Sequence, residues 1–493
     1  MNCRLLAAAA ALVFGTSANA ASILSPTPRL AAALQQYIRL PAGRIALTHV
    51  RIIDGTGAAA VEERTILIDG PRIAAVQPAS ATIPSGYTSL DLTDATVMPG
   101  IVGMHNHMFY IARPNLDASG HSEEPLVVPQ MTFSAPRLYL ANGVTTMRTT
   151  GSVEPYADIN VKRQIDAGRL LGPHMDVTGP YLEGPDSPFI QMHQITSPDD
   201  ARRTVAFWAD QGATSFKAYM NITRAELKAA VDEAHRRGLK ITGHLCSVTY
   251  PEAAALGIDD LEHGFFVNTQ LDPGKQLDKC TTTVGTPTLL AMTPGSPQAT
   301  ALINLLVSRH VAVTSTLPVF EQSLALHAPL NPRAMAVLTP EAREAYLYAR
   351  NRAASRGGTE QGRKFALAYL NDLGLERQFV AAGGLLLAGP DPTGNGGVIP
   401  GFGDQRELEL LVEAGFSPLE AIRIGTLNGA RYLGLADRIG SIAPGKDADL
   451  IVIRGNPAAN IADVEKVDIV FKDGVGFDSG KLLDSVRGRY GQY

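Results

Sequence analysis

Val97-Met-Pro-Gly-Ile-Val-Gly-Met-His105-Asn-His107 is the stretch on which the reading of the fold turns. An apolar run leads into two histidines one residue apart. Alternate residues of a strand share a face, so an extended backbone aims both imidazoles at one point. Two neutral imidazoles converging at a strand end begin a transition-metal site. Taken alone, the pair is more simply explained by one buried, hydrogen-bonded histidine and one solvated one. What decides is whether other strands end in donors as well.

Outward from that stretch, the chain from about Val97 to Leu435 alternates short apolar strands with helical periodicity, the pattern of βα units around a parallel sheet. In the clearest unit Thr214-Ser-Phe-Lys217-Ala-Tyr219 reads as a strand, and Thr223 with Glu226 as a capping box. Leu227, Ala230, Val231 and Ala234 form the apolar face of the helix that follows. Gly238 stops the helix, and Leu239 to His244 forms the next strand. The scheme repeats with Pro251 near a helix start, Gly257 past its end and Ile258 to His263 as a strand. Lys217, His244 and His263 therefore stand at or near the C-terminal ends of three successive strands, where a (β/α)8 barrel carries its chemistry. Gly383 to Pro390 is a further apolar run, and Asp391 follows it at the same mouth, able to touch a metal and to accept a proton from water. A plain Asp391-Pro392 turn is the competing reading.

Lys217 lies between Phe216 and Ala218 in a strand expected to be buried. An ammonium has donors and no acceptor, and an unpaired charge in a barrel wall is costly, so a modified or paired lysine fits better. Tyr219, two residues on, shares its face if the strand continues. It either donates to a substrate carbonyl or carboxylate or is an ordinary packed tyrosine.

The ends of the chain read differently. Arg44 to Asp54, Arg64 to Ile68 and Arg72 to Val76 alternate apolar and polar residues, with Asp69-Gly70 as a hairpin turn; Asp449 to Arg454 and Asp468 to Lys472 repeat the pattern. Residues 21–96 and 436–493 are therefore expected to form one small β-sandwich beside an α/β, TIM-type barrel over 97–435. A helical insertion at 321–372 is either a lid or an exposed excursion. A short helix is expected near Leu30 to Ile38. His49 is a strand residue without chemistry, and His235 complements a helix C-terminus.

Residues 1–20 read as a signal peptide: Arg4 gives a positive start, Leu5 to Phe14 an apolar core, and Ala18-Asn19-Ala20 a small-residue cleavage site. Export to the periplasm or the medium is expected, with no membrane association after cleavage. Cys246 and Cys280 then remain, and a disulfide or two separate buried thiols fit equally. Forty-three Lys and Arg against 48 Asp and Glu give a net charge of −5, no footprint for nucleic acid. A homo-oligomer is expected.

As a set, Met-Pro-Gly-Ile-Val-Gly-Met-His105-Asn-His107, Gly-Ala-Thr-Ser-Phe-Lys217, Gly-Leu-Lys-Ile-Thr-Gly-His244, Asp-Leu-Glu-His263-Gly and Ala-Gly-Pro-Asp391 resemble the amidohydrolase superfamily. The likeness is to its binuclear-metal, carboxylated-lysine members, the imidazolonepropionase-like and prolidase-like dipeptidase group. It spans Arg44 to Gly474 and includes Gly440-Ser-Ile-Ala-Pro-Gly-Lys-Asp-Ala-Asp-Leu. The resemblance implies two divalent metal ions, with zinc suiting the nitrogen and oxygen donors best. His105, His107 and Asp391 would hold the buried ion and His244 and His263 the more exposed one. Lys217 as a carbamate would bridge them, and Asp391 would move the proton.

Two positions depart from the family pattern. Gly103-Met104 replaces the usual Asp before His-x-His, so support for the histidines must come from elsewhere, and Thr149 stands where an acidic residue is expected after Arg148. Specificity is expected in the segments Tyr110 to His121, Tyr181 to His193, Cys280 to Pro297 and 321–372. His121 and His193 are weaker site candidates. The expected activity is hydrolysis of amide bonds in small peptides or N-acyl amino acids. Cyclic amides, imides or lactones are the alternative, and a metal-free binding or scaffold protein is the reading from another class.

Overall fold

A computed structural model describes residues 23–25, 29–111, 126, 128–187, 189–393 and 398–491. The expected signal peptide and His121 lie outside the described residues. Eight parallel strands form the central barrel: Ile101–Asn106, Val144–Thr149, His174–Leu182, Ser215–Ala218, Lys240–Gly243, Asp260–Glu262, Ala312–Ser315 and Leu386–Ala388. Between the first and last, the Asp391 amide donates to the His105 carbonyl at 3.1 Å. Most of these strand residues are buried, because helices cover the outside and side chains fill the inside.

The unit read most clearly from sequence forms as its punctuation dictates. Thr223 and Glu226 make a reciprocal capping box for Arg224–Arg236, which buries Leu227, Ala230, Val231 and Ala234. The next helix, Tyr250–Leu256, ends at Gly257, whose φ of 98° only glycine adopts without strain.

Both chain ends build the second body, a nine-stranded mixed sheet whose core includes Ile45, Leu47, Ile66, Ile68, Val97, Leu450, Val452 and Phe471. Val61–Asp69 and Arg72–Pro78 form the expected hairpin. The expected helix near Leu30 is a short 3-10 helix, Ala32–Tyr37.

The stretch quoted first belongs to both bodies. Thr96–Pro99 pairs antiparallel with Leu450–Ile453 in the small sheet, and Ile101–Asn106 starts the barrel. Gly100 is the pivot between them: a side chain there would overlap Thr145. The helical region expected at 321–372 contains Pro332–Val337 and Pro340–Arg356, but its last helix, Glu360–Ala381, runs on. Leu375, Glu376 and Phe379 bury that extension against the barrel, so 372 falls inside a helix that covers it.

Candidate active site

Six side chains expected at strand ends are found there. His105 lies in the first barrel strand and His107 just past it, and Lys217 in the fourth. His244 and His263 directly follow the fifth and sixth, and Asp391 closes the turn after the eighth. His107 Nε2 is 3.0 Å and His105 Nε2 3.5 Å from Asp391 Oδ1. Lys217 Nζ donates to His105 Nε2 at 3.2 Å. The His263 ring lies 4.7 Å from that of His105 and 4.4 Å from that of His244.

The hydrogen bonds fix which nitrogen faces inward. Glu262 Oε2 accepts from His105 Nδ1 at 2.7 Å, and Thr316 Oγ1 partners His263 Nδ1 at 2.9 Å. The His105 Nε2 lone pair is thereby turned to the centre, and His263 Nε2 also faces it, buried without a hydrogen-bond partner among the described residues. Burial, reinforced by Lys217, lowers the pKa of His105 well below the usual histidine range and that of His244 to about 3. Burial likewise lowers the pKa of His107 and, further, that of His263. Burial pulls Lys217 down to about 8. Burial raises the carboxyl of Asp391, yet its interactions with His105, His107 and Lys217 outweigh that and lower its pKa on balance. Neutral imidazoles, one carboxylate and an orphaned inward nitrogen are what a divalent cation requires of its donors.

The backbone at this mouth is unusual. His263 and Asp391 adopt φ of 70° and 54°, in the left-handed region that non-glycine residues seldom enter. Such positions cost of order 1–3 kcal/mol each and cluster at functional sites.

Support for the His-x-His pair comes from residues that sequence reading passed over. Glu262 reaches His105 from the sixth strand and accepts from Arg148 at 2.8 Å through its other oxygen. Arg148, fully buried, also donates to Asp260 at 2.7 Å and to the Met104 carbonyl at 2.8 Å. Where the family pattern places an acid, Gly103 leaves space that the Asn106 amide and Asp404 occupy, joined at 3.0 Å. The only local signal for Glu262 was its place in Asp260-Leu261-Glu262, a short strand with two carboxylates that the barrel wall buries.

A cleft of about 390 Å³ opens over the centre. Its floor is His107, Lys217, His244, His263 and Asp391. The strand carrying Lys217 ends at Ala218, and Tyr219, just past it, lines the cleft with its ring 4.9 Å from His244 and 4.7 Å from Tyr181. Of the four segments expected to carry specificity, the first two contribute Tyr110's neighbour Ile111, then Tyr181, Phe189 and Met192; among the described residues, the other two contribute none. His193 is exposed and pairs with Asp200 at 3.1 Å, His235 with Asp259 at 2.9 Å, and His49 with Glu63 at 3.0 Å, all away from the cleft.

The amidohydrolase family model matches residues 96–476, which span every barrel strand and donor described above. The chain belongs to the amidohydrolase family. This amidohydrolase is similar in structure to a proposed prolidase from Bifidobacterium longum, with 25% identity over 90% of this chain and 99% of that one, TM-score 0.63. A Xaa-Pro dipeptidase with bound methionine gives 20% identity over 88% of this chain and all of that one, TM-score 0.63. A. niger ochratoxinase gives 18% over 91% and 100%, TM-score 0.63. An adenine deaminase of Ligilactobacillus salivarius (strain UCC118) is 40% identical over 67 residues, 14% of this chain and only 11% of that protein.

Other donors gather elsewhere in this amidohydrolase. His174, which opens the third barrel strand, meets Asp473 at 3.2 Å and Asp449 at 3.6 Å where the small sheet docks. Cys246, two residues past His244, forms a disulfide with Cys280, their Cα atoms 4.8 Å apart.

Proposed function

We propose that this chain is an exported, metal-dependent amidohydrolase that cleaves amide bonds of small peptides or N-acyl amino acids. The observation that carries this reading is the convergence of His105, His107 and Asp391 on one point, with Lys217, His244 and His263 completing the ring. His105, His107 and Asp391 would hold one divalent ion, His244 and His263 a second, and zinc suits these donors best. A bound pair of such ions supplies hydroxide near neutral pH and polarises a carbonyl oxygen.

The chain's own groups do the rest. Lys217, its amine carried as a carbamate, would lie between the two sets: an N–C bond forms to carbon dioxide, a proton leaves, and a donor becomes a two-oxygen anion. Asp391, its Oδ1 3.0 Å from His107 Nε2, accepts the proton of the attacking water and returns it to the leaving nitrogen. Glu262 and Thr316 keep His105 and His263 oriented throughout. Tyr219 stands close enough to the centre to donate to a substrate carbonyl or carboxylate. The disulfide supports an oxidising compartment, and with it export through residues 1–20. Among the described residues no helix is long and apolar enough to cross a membrane.

Metal analysis of the wild type and Lys217→Ala tests the bridge. The variant should lose at least one equivalent, and full retention would sink the assignment. A panel of dipeptides, N-acyl amino acids, cyclic imides and lactones tests the substrate class. Activity confined to the last two would displace the peptide reading.

A further inference from the structure

One wall of the cleft differs in kind from its floor. Phe109, Ile111, Val128, Val153, Phe189 and Met192 form it, with the rings of Tyr181 and Tyr219 at the join. These side chains pack on one another as a hydrophobic cluster separate from the core between barrel strands and helices. A cluster covered by protein on every side is ordinary core. Here all members border one cavity, so their shared apolar face is turned to whatever fills it.

The wall is fixed to the catalytic floor. The Phe109 ring stacks on His107 with centroids 4.4 Å apart, and its carbonyl accepts from the Tyr490 hydroxyl at 3.3 Å. The Ile111 amide donates to the Thr393 carbonyl at 2.9 Å, tying the wall to the turn that carries Asp391. An apolar group lodged there therefore shares one cleft with Asp391, the group that moves the proton.

We propose that this wall is the specificity subsite, taking an uncharged aromatic or branched aliphatic group carried beside the scissile amide. The proposal rests on the amidohydrolase reading of the floor. A hydrophobic pocket discriminates by the apolar surface it covers, and a charged group placed there loses its hydration without a partner. Amides of hydrophobic residues are thus the substrate class, ahead of those of glycine, glutamate or lysine.

The test uses the metal-loaded full chain and a series of N-acyl amides that differ only in that group: benzyl, isobutyl, hydrogen, carboxyethyl. The first two should exceed the last two in kcat/KM by at least tenfold. Met192→Lys should cut the benzyl-to-hydrogen ratio at least tenfold with metal content unchanged, and Phe189→Ala, at the cleft rim, should move the ratio the same way if the first variant does not fold. Calorimetric binding of a reduced-amide analogue with a benzyl group, against one with hydrogen, reads the wall without turnover. A flat kcat/KM series together with equal analogue binding would overturn the subsite. Hydrolysis of no amide at all would overturn the reading of the floor instead, while a benzyl preference in binding would still uphold the wall.

Discussion

Histidine and carboxylate meet at both ends of the barrel with nearly the same spacing. At the mouth His105 and His107 stand 3.5 and 3.0 Å from Asp391; at the base His174 stands 3.6 and 3.2 Å from Asp449 and Asp473. Each cluster has a buried lysine beside it. Lys217 lies 3.2 Å from an imidazole nitrogen, where an ammonium gains little, and its cluster opens on a cleft. Lys472 lies 3.4 Å from a carboxylate oxygen of Asp473 and supplies the countercharge that cluster needs. Donor spacing alone does not separate a chemical site from a structural joint. The partner of the lysine and the access of water do.

The comparison can be broken most directly at Asp391. Asp391→Asn should lower kcat by about 10²–10⁴, the usual worth of a positioned proton carrier, as measured by steady-state kinetics; a near-normal kcat would remove the mouth's claim to chemistry. Glu262→Gln should weaken metal affinity by about 10–100-fold, the typical effect of losing a ligand-orienting carboxylate, read by chelator competition. Stability should fall as well, since Arg148 then keeps one buried charge partner fewer. Replacing Cys246 with Ser should cost about 2–4 kcal/mol by removing a cross-link, and denaturant titration would show it; an unchanged midpoint would mean the bond does not form in the protein.

The smallest effect belongs to the base. His174→Gln should leave metal content unchanged, and a lost equivalent would make the base a metal site after all. Burial lowers the His174 pKa to about 4, from 6.5 when unfolded. The unfolded chain therefore binds the proton first. Stability from this residue is complete above pH 6.5, declines as pH falls and is gone below about 4, a loss of about 3 kcal/mol. The variant should show a correspondingly shallower loss of stability over that interval.

The sequence made the barrel and its first and last donors legible because His105 and Asp391 follow apolar runs, a local transition visible in the chain. Lys217, His244 and His263 followed from turn and capping residues on either side. Glu262 and Arg148 could not be placed in the same way, since their contacts join strands more than a hundred residues apart. Nor could the wall: Val128 and Val153 carry no pattern that says which loop folds over the mouth. The boundary between the two bodies moved for a related reason. Thr96–Pro99 is as apolar as the strand after it, and only the pivot at Gly100 and the pairing with Leu450–Ile453 assign it to the small sheet.

The left-handed backbone at His263 and Asp391 sets function against endurance. Glycine would relax the backbone at either position, yet at His263 it would also empty a buried ring site packed against His105, His244 and Phe320, so the strain is held in place by the side chains it serves to aim.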